Sequence, residues 1–276
     1  MTQIERIEKC KKAAAQIRKN IIEMTYAVGG VGAHLGGSLS MVEILAALYI
    51  GTLKFRLENL KWDERDRVIL SKGHAALALY PTLVQAGMLS EEELYCFKKD
   101  GSHLTAHPSC HGVPGVEFAS GSLGQGLSLG VGVALALKRK NYLSSRVFVL
   151  LGDGECNEGS VWEAAASASH FQLNQLVAVV DQNQMQYDGD TKEVMEMQPI
   201  AEKWRDFGWH VCEVDGHCIE ELLDVFTIES KKPFVILANT IKGKGISFME
   251  RDWRFHNSRI SKEQYKQAIE ELEGVV

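Results

Sequence analysis

Apolar residues recur along this chain in two patterns, one stepping every three or four residues and one running on without a break, and the two alternate. Residues 3–25 place Ile4, Ile7, Ala14, Ile17, Ile21 and Met24 at mostly helical steps with lysines and glutamates between them, which predicts an amphipathic helix ended by Gly29 and Gly30. The run from Ser40 to Tyr49 is again helical, and Ser40 with Glu43 three residues on predicts a capping box at its start. Arg67–Ser71 predicts a short buried strand, and Ala75–Ala86 a helix after it. Gly121–Lys138, rich in Gly, Ala and Leu, predicts a long helix that packs closely. Three more strands follow, starting at Val147, Leu176 and Pro233, with an Ala-rich crossover helix over Ser160–His170 between the first two. The alternating segment from Trp209 reads as a half-buried strand ending in a turn, and a polar helix over Ser261–Leu272 follows the last strand. Strands that are apolar on both sides belong to a parallel sheet covered on both faces. The expected fold is therefore α/β, an open, mostly parallel sheet with helices on both faces. No repeat and no Pro/Ser linker interrupts it, so residues 1–276 read as one domain with a C-terminal helical extension. The stretch Arg251–Val276 reads equally as a solvated cap or as an interface element.

Composition narrows the function classes. The chain is 45% hydrophobic and 24% charged, ordinary for a globular protein, and its net charge of −6 argues against a nucleic-acid binder driven by phosphate neutralisation. No apolar run approaches the ~20 residues that span a bilayer, and Met1-Thr-Gln-Ile-Glu opens a charged amphipathic segment, so a cytoplasmic chain without membrane contact is expected. The six cysteines form no Cys-x-x-Cys pair and read as reduced thiols.

Two of the predicted strands end in oxygen-bearing side chains, Asp153 of Gly152-Asp-Gly154 and Asn183 of Gln182-Asn183. In a sheet of this class ligands sit beyond the carboxyl ends of the strands, so the two side chains are placed to share one metal. The flanking glycines let backbone amides approach an anion at the start of the next helix. Magnesium requires six hard oxygens, which a carboxylate, an amide oxygen, a carbonyl, water and two diphosphate oxygens supply. Alone, Gly-Asp-Gly is more often a tight turn. Four histidines in glycine-rich loops, His34, His74, His107 and His256, supply donors and acceptors near neutral pH without a fixed charge, which suits proton transfer, although any one alone is more often structural. A zinc reading of His103, His107, Cys110 and His111 requires a helix that Gly101, Pro108 and Gly112 oppose. His210, Cys212, His217 and Cys218 fall in and just after the alternating strand and read as part of it.

Gly-Asp-Gly and, after residues 155–181, Gln182-Asn183 resemble the thiamine diphosphate fingerprint, with Gln182 in place of the first Asn of the family's pair. Further segments resemble the amino-terminal part of transketolases in chain order: Gly32-Ala-His34, Ser71-Lys-Gly-His-Ala75, Ala106-His-Pro108, and Gly121-Ser-Leu-Gly-Gln-Gly126, where Ser122 replaces the family's Pro. Trp253-Arg-Phe-His-Asn257 has Asn where the family commonly shows Gly after the His. The resemblance implies the diphosphate-binding (PP) domain of a thiamine diphosphate- and Mg²⁺-dependent enzyme, with Ca²⁺ as a possible substitute metal. It makes Asp153, Asn183 and the Met185 carbonyl the metal ligands. His74, Gly121, Ser122, Leu123, Gly154, Glu155, Asn183 and His256 would contact the cofactor; His34, His74, His107 and His256 would serve catalysis, and Glu158 a subunit interface. The glutamate that protonates the aminopyrimidine lies, in the family, on a half with no counterpart here. The resemblance thus implies the N-terminal subunit of a split transketolase, transferring a two-carbon ketol unit between sugar phosphates. Such a chain would act with a separate pyrimidine-binding subunit, forming a homodimer within an α₂β₂ assembly. Alternatives are the same chemistry on a modified sugar, a 2-oxoacid dehydrogenase α subunit, or a noncatalytic assembly or binding module. A dinucleotide site is disfavoured because the 121–126 segment lacks Gly-x-Gly-x-x-Gly spacing and no strand directly precedes it.

Overall fold

A computed structural model describes residues 2–274. Its strands are β1 (Arg67–Leu70), β2 (Val147–Gly152), β3 (Leu176–Gln182), β4 (His210–Asp215) and β5 (Phe234–Asn239), all parallel, in the spatial order β1-β2-β3-β5-β4. The helices are α1 (Gln3–Val28), α2 (Gly36–Leu39), α3 (Val42–Gly51), α4 (Ala76–Gln85), α5 (Gly126–Arg139), α6 (Gly159–His170), α7 (Thr191–Val194), α8 (Ile200–Asp206), α9 (Ile219–Val225) and α10 (Lys262–Glu273).

The strands sort their side chains with a period of two. Phe148, Leu150, Val177, Val179 and Ile236 face one core, filled by α1, α3, α4 and α9. Val147, Val149, Leu151, Ala178, Val180 and Val235 face the other, filled by α5, α6 and α8. Both faces are dry, so β2 and β3 are buried along their whole lengths, while β4 at the edge is only partly buried. This is the expected open α/β sheet, and here it is wholly parallel.

Two element boundaries differ from expectation. Ser40 does not cap α3: it closes α2 in helical conformation, no side chain caps the α3 start, and its hydroxyl donates to Asp181 at 2.7 Å. Glu43 is likewise turned away, toward Arg18 and His217. Donating to a buried carboxylate across the sheet aims that hydroxyl away from the amides of the first α3 turn. The helix expected from Gly121 begins only at Gly126. Residues 121–125 form a turn in which Gly124 has φ +79°, and a Cβ there would come within 2.7 Å of Glu158.

The C-terminal segment is packed against the rest of the chain. Ala33 and Ser258 exchange backbone hydrogen bonds of 2.9 and 3.0 Å, α10 carries a Ser261/Gln264 capping box, and Tyr265 stacks on Tyr26 of α1 with ring centroids 4.3 Å apart.

Candidate active site

The carboxyl ends of β1, β2, β3 and β5 and the segments 32–40, 103–125 and 253–258 meet above the sheet. His34 follows α1, His74 follows β1, His107 precedes the Gly-rich turn, and His256 is brought in by the Ala33–Ser258 bridge. Their rings converge: His34 lies 5.7 Å from His74, 5.5 Å from His107 and 5.6 Å from His256, and His74 lies 5.1 Å from His256, centroid to centroid. Tyr187 packs edge-on against His256 at 5.0 Å.

Every one of these imidazoles is held neutral. Burial, then His107 and Lys98, lower His34 to about 4; burial, then Lys242 and His34, lower His256 to about 3. Burial and the cations Lys72 and Lys242 hold His74 well below the ordinary histidine value, and burial with Lys98 lowers His107. At neutral pH each ring therefore offers one donor and one acceptor, which lets it accept or return a proton.

Beside the histidines lies an oxygen-lined floor. Asp153, only 7% exposed, accepts hydrogen bonds from the amides of Gly154 (2.8 Å) and Gln184 (2.6 Å) but has no cationic partner among the described residues. Burial, then the nearby Asp181, push it up to about 6. Asn183 donates to Asp181 at 2.8 Å, which turns its amide oxygen toward the Met185 amide at 3.1 Å. A buried carboxylate lacking a cation, with an oriented amide oxygen on the neighbouring strand, fits a divalent metal, and both are hard oxygen donors. Gly154 permits close approach, since a Cβ there would meet Gln186 at 2.9 Å. Met185 is less open than expected, because its carbonyl accepts from the Lys242 ammonium at 3.2 Å.

Glu155 has a structural task. Its carboxylate accepts from the amides of Gly124 (2.8 Å) and Gly152 (3.1 Å) and from the Ser71 hydroxyl, tying the Gly-rich turn to β1 and β2. That turn leaves Ser122 exposed and Leu123 half-buried, with Gly121 beside His107 and Glu158 exposed. His103 faces Glu93 at 3.1 Å while His107 faces His34, so the two do not converge on one metal. Among the described residues no group of three or more His, Cys, Asp or Glu is placed to hold a metal ion, and no helix is long and apolar enough to cross a membrane.

Several polar residues of the site do not stand out in the sequence. Asp181 accepts from Lys72, Ser40, Thr240 and Asn183, joining β1, β3 and β5 at one carboxylate. Burial alone would push it up; Lys72 and the other donors outweigh that and hold it below the usual carboxylate value. A signal exists, since a charged residue closing an otherwise apolar, buried run requires a partner. Lys242, 1% exposed, donates to Gln186 O (2.7 Å) and lies 3.0 Å from His256 Nδ1, and burial with Lys72 lowers it to about 8.

A cavity of about 470 Å³ adjoins this floor, lined by Asp153, Gln184, Met185, Asp190, Lys192 and Arg251 among others. A somewhat larger one, about 530 Å³, opens at the opposite end of the sheet beside Arg6, Arg146 and Gln175, and contains none of these groups. The chemistry favours the first, at the carboxyl ends of the strands.

Residues 11–273 match the family described as transketolase, thiamine diphosphate binding domain. The chain is 44% identical over 247 residues to a 6-deoxy-6-sulfo-D-fructose transketolase subunit of a Clostridium species, covering 88% of this chain and 89% of that one. It is 38% identical to an apulose-4-phosphate transketolase subunit from Phocaeicola vulgatus, over 96% of this chain and 94% of that one. Human transketolase matches 97% of this chain at 38% identity, but only 42% of its own length is covered. Among solved structures, Campylobacter jejuni transketolase superposes with a TM-score of 0.87 at 28% identity, over 99% of this chain and 43% of that one. The Pichia stipitis transketolase complex with sedoheptulose-7-phosphate gives 0.88 at 30% identity, over 96% of this chain and 41% of that one.

Proposed function

Since the chain belongs to the family of transketolase thiamine diphosphate binding domains, we propose that it is the diphosphate-binding subunit of a split transketolase. In this reading it forms one domain that transfers a two-carbon ketol unit between a ketose and an aldose phosphate with a separate pyrimidine-binding subunit. The convergence of four neutral imidazoles above the Asp153–Asn183 floor is the observation that carries this reading. Two relatives that share nearly the whole length of this chain are named as subunits, which supports a partner-dependent enzyme; the assembly proposed for it is α₂β₂.

Asp153, Asn183 and the Met185 carbonyl would hold Mg²⁺ against the diphosphate, with Ca²⁺ able to replace it, and Gly154 and the Glu155 main chain would face the same group. Lys242, whose ammonium stands between the Met185 carbonyl and His256, would supply a cation at the diphosphate end. When bound, thiamine diphosphate supplies an electron sink for the bond cleaved next to the ketose carbonyl. His34 and His107 accept and return protons at the sugar hydroxyls, and His74 and His256 hold the diphosphate end and the reacting carbon. Gly121, Ser122 and Leu123 offer backbone and an apolar wedge to the pyrimidine, completed by the partner, and that closure excludes water.

A modified sugar is the second reading, favoured because those two relatives are named for a sulfofructose and for apulose-4-phosphate. The test is to purify the chain, add Mg²⁺ and thiamine diphosphate, and assay ketol transfer with and without a pyrimidine-binding chain, on xylulose-type and modified donors. Activity is expected only with both chains, and Asp153→Ala should abolish Mg²⁺-dependent cofactor binding by the pair. Turnover by the single chain, or normal binding by the variant, would overturn the proposal.

A further inference from the structure

The ammonium of Lys242 reaches the Met185 and Gln186 carbonyls and His256, so its position sets the geometry of the floor. Its backbone is gripped on both sides by residues remote from the cleft. On one side the Ile241 amide donates to His217 Nε2 at 2.8 Å; on the other, Arg18 Nε donates to the Lys244 carbonyl at 3.1 Å. Arg18 and His217 then meet on a single carboxylate, with Arg18 Nη2 2.5 Å from one oxygen of Glu43 and His217 Nδ1 2.9 Å from the other. Because Nε2 accepts from Ile241, the ring proton sits on Nδ1 and is donated to Glu43. The three side chains come from α1, α3 and the turn before α9, and each is between 11% and 13% exposed.

Stability alone does not account for such a trio. Removing charges from water carries a large desolvation penalty, and well-packed apolar side chains of similar volume often serve a fold as well or better. What an apolar trio cannot do is direct one amide and one carbonyl to fixed points on either side of Lys242 and Gly243. We infer that Arg18, Glu43 and His217 form a positioning clamp that fixes the Lys242 backbone, and through it the ammonium between Met185 and His256. These are positioning residues, since none of them touches the cleft groups themselves. The inference rests on the reading of the Lys242 end as the diphosphate end.

The test is amine acetylation of the full chain, followed site by site by mass spectrometry, in the native protein, His217→Leu and His217→Gln. A glutamine amide can accept from Ile241 and donate to Glu43, whereas leucine does neither. His217→Leu should raise Lys242 labelling about tenfold, the factor that one lost buried hydrogen bond produces in an opening equilibrium, and His217→Gln should restore most of the protection. Lys72, equally buried and paired with Asp181, is the internal control and should stay protected. Should His217→Leu fail to fold, Glu43→Gln takes its place, with the same rise expected at Lys242 and none at Lys72. Labelling of Lys242 within about twofold of native, or an equal rise at Lys72, would overturn the clamp. A separate arm adds thiamine diphosphate, Mg²⁺ and the pyrimidine-binding chain, which should protect native Lys242. If the variants behave as expected but cofactor gives no protection, the functional reading of this end fails while the clamp stands.

Discussion

Asp181 and Lys72 form an ion pair with side chains 0% and 1% exposed, and their energetics can be worked out from the hydrogen bonds each would keep alone. Replacing Asp181 by Asn leaves the Lys72 ammonium buried without its countercharge, and a buried charge stripped of its partner costs about 3–5 kcal/mol. Replacing Lys72 by Met leaves the carboxylate with donors from Ser40, Thr240 and Asn183, so its cost should fall at the lower end, roughly 3 kcal/mol. Changing both, Lys72→Met with Asp181→Asn, removes the charges together and costs at most the bonds that the two hydroxyls and the Asn183 amide made to the carboxylate, at about 1 kcal/mol each. The double variant should therefore lose only about 3 kcal/mol, at least ~2 kcal/mol less than the sum of the two single losses. Urea denaturation followed by far-ultraviolet circular dichroism measures all four proteins, with unchanged slopes as the check on two-state behaviour. Additivity within ~0.5 kcal/mol, or a Lys72→Met loss clearly exceeding that of Asp181→Asn, would refute the reasoning.

Two other outcomes are expected. In the assembled enzyme His107→Ala should lower turnover by about 10²–10⁴ while leaving cofactor affinity nearly unchanged; loss of affinity with preserved turnover would remove His107 from proton transfer. His34 is lowered from 6.5 to about 4 in the folded chain, so between those values the unfolded chain binds the extra proton and stability rises with pH. The contribution is fully present above pH 6.5 and is lost as pH falls toward 4, so melting temperature should drop more steeply on acidification for the native chain than for His34→Gln; parallel curves would contradict the shift.

The sheet is readable from sequence because its strands are apolar on both faces, the pattern of a parallel sheet covered by helices on either side. The convergence of His34, His74 and His107 on one cleft is expected from their Gly-rich loops and the resemblance, and their rings do meet; the arrival of His256 is less legible, because the Ala33–Ser258 bridge that delivers it joins distant parts of the chain by backbone atoms and leaves no side-chain signature. Ser40 misleads for a physical reason, since a hydroxyl three residues ahead of a glutamate is the pattern of a local cap and gives no sign of an acid arriving from β3. Asp181 closes an apolar run and so reads as a strand end, although it is the hub of the floor. Lys242 carries no periodic or motif signal, and only the fold shows what its ammonium touches.

The Ala33–Ser258 bridge also gives the site a history within each molecule's synthesis. A ribosome that has delivered the chain through Asn239 has released every strand of the sheet, yet three of the four imidazoles then face a gap where the fourth belongs. Loop closure between positions so far apart comes late, after local helices and neighbouring strands have formed. Nascent chains would thus pass through a stage with a formed sheet and an unfinished site, and products ending before residue 256 would lack the fourth imidazole together with the core residues Ile260 and Ala268.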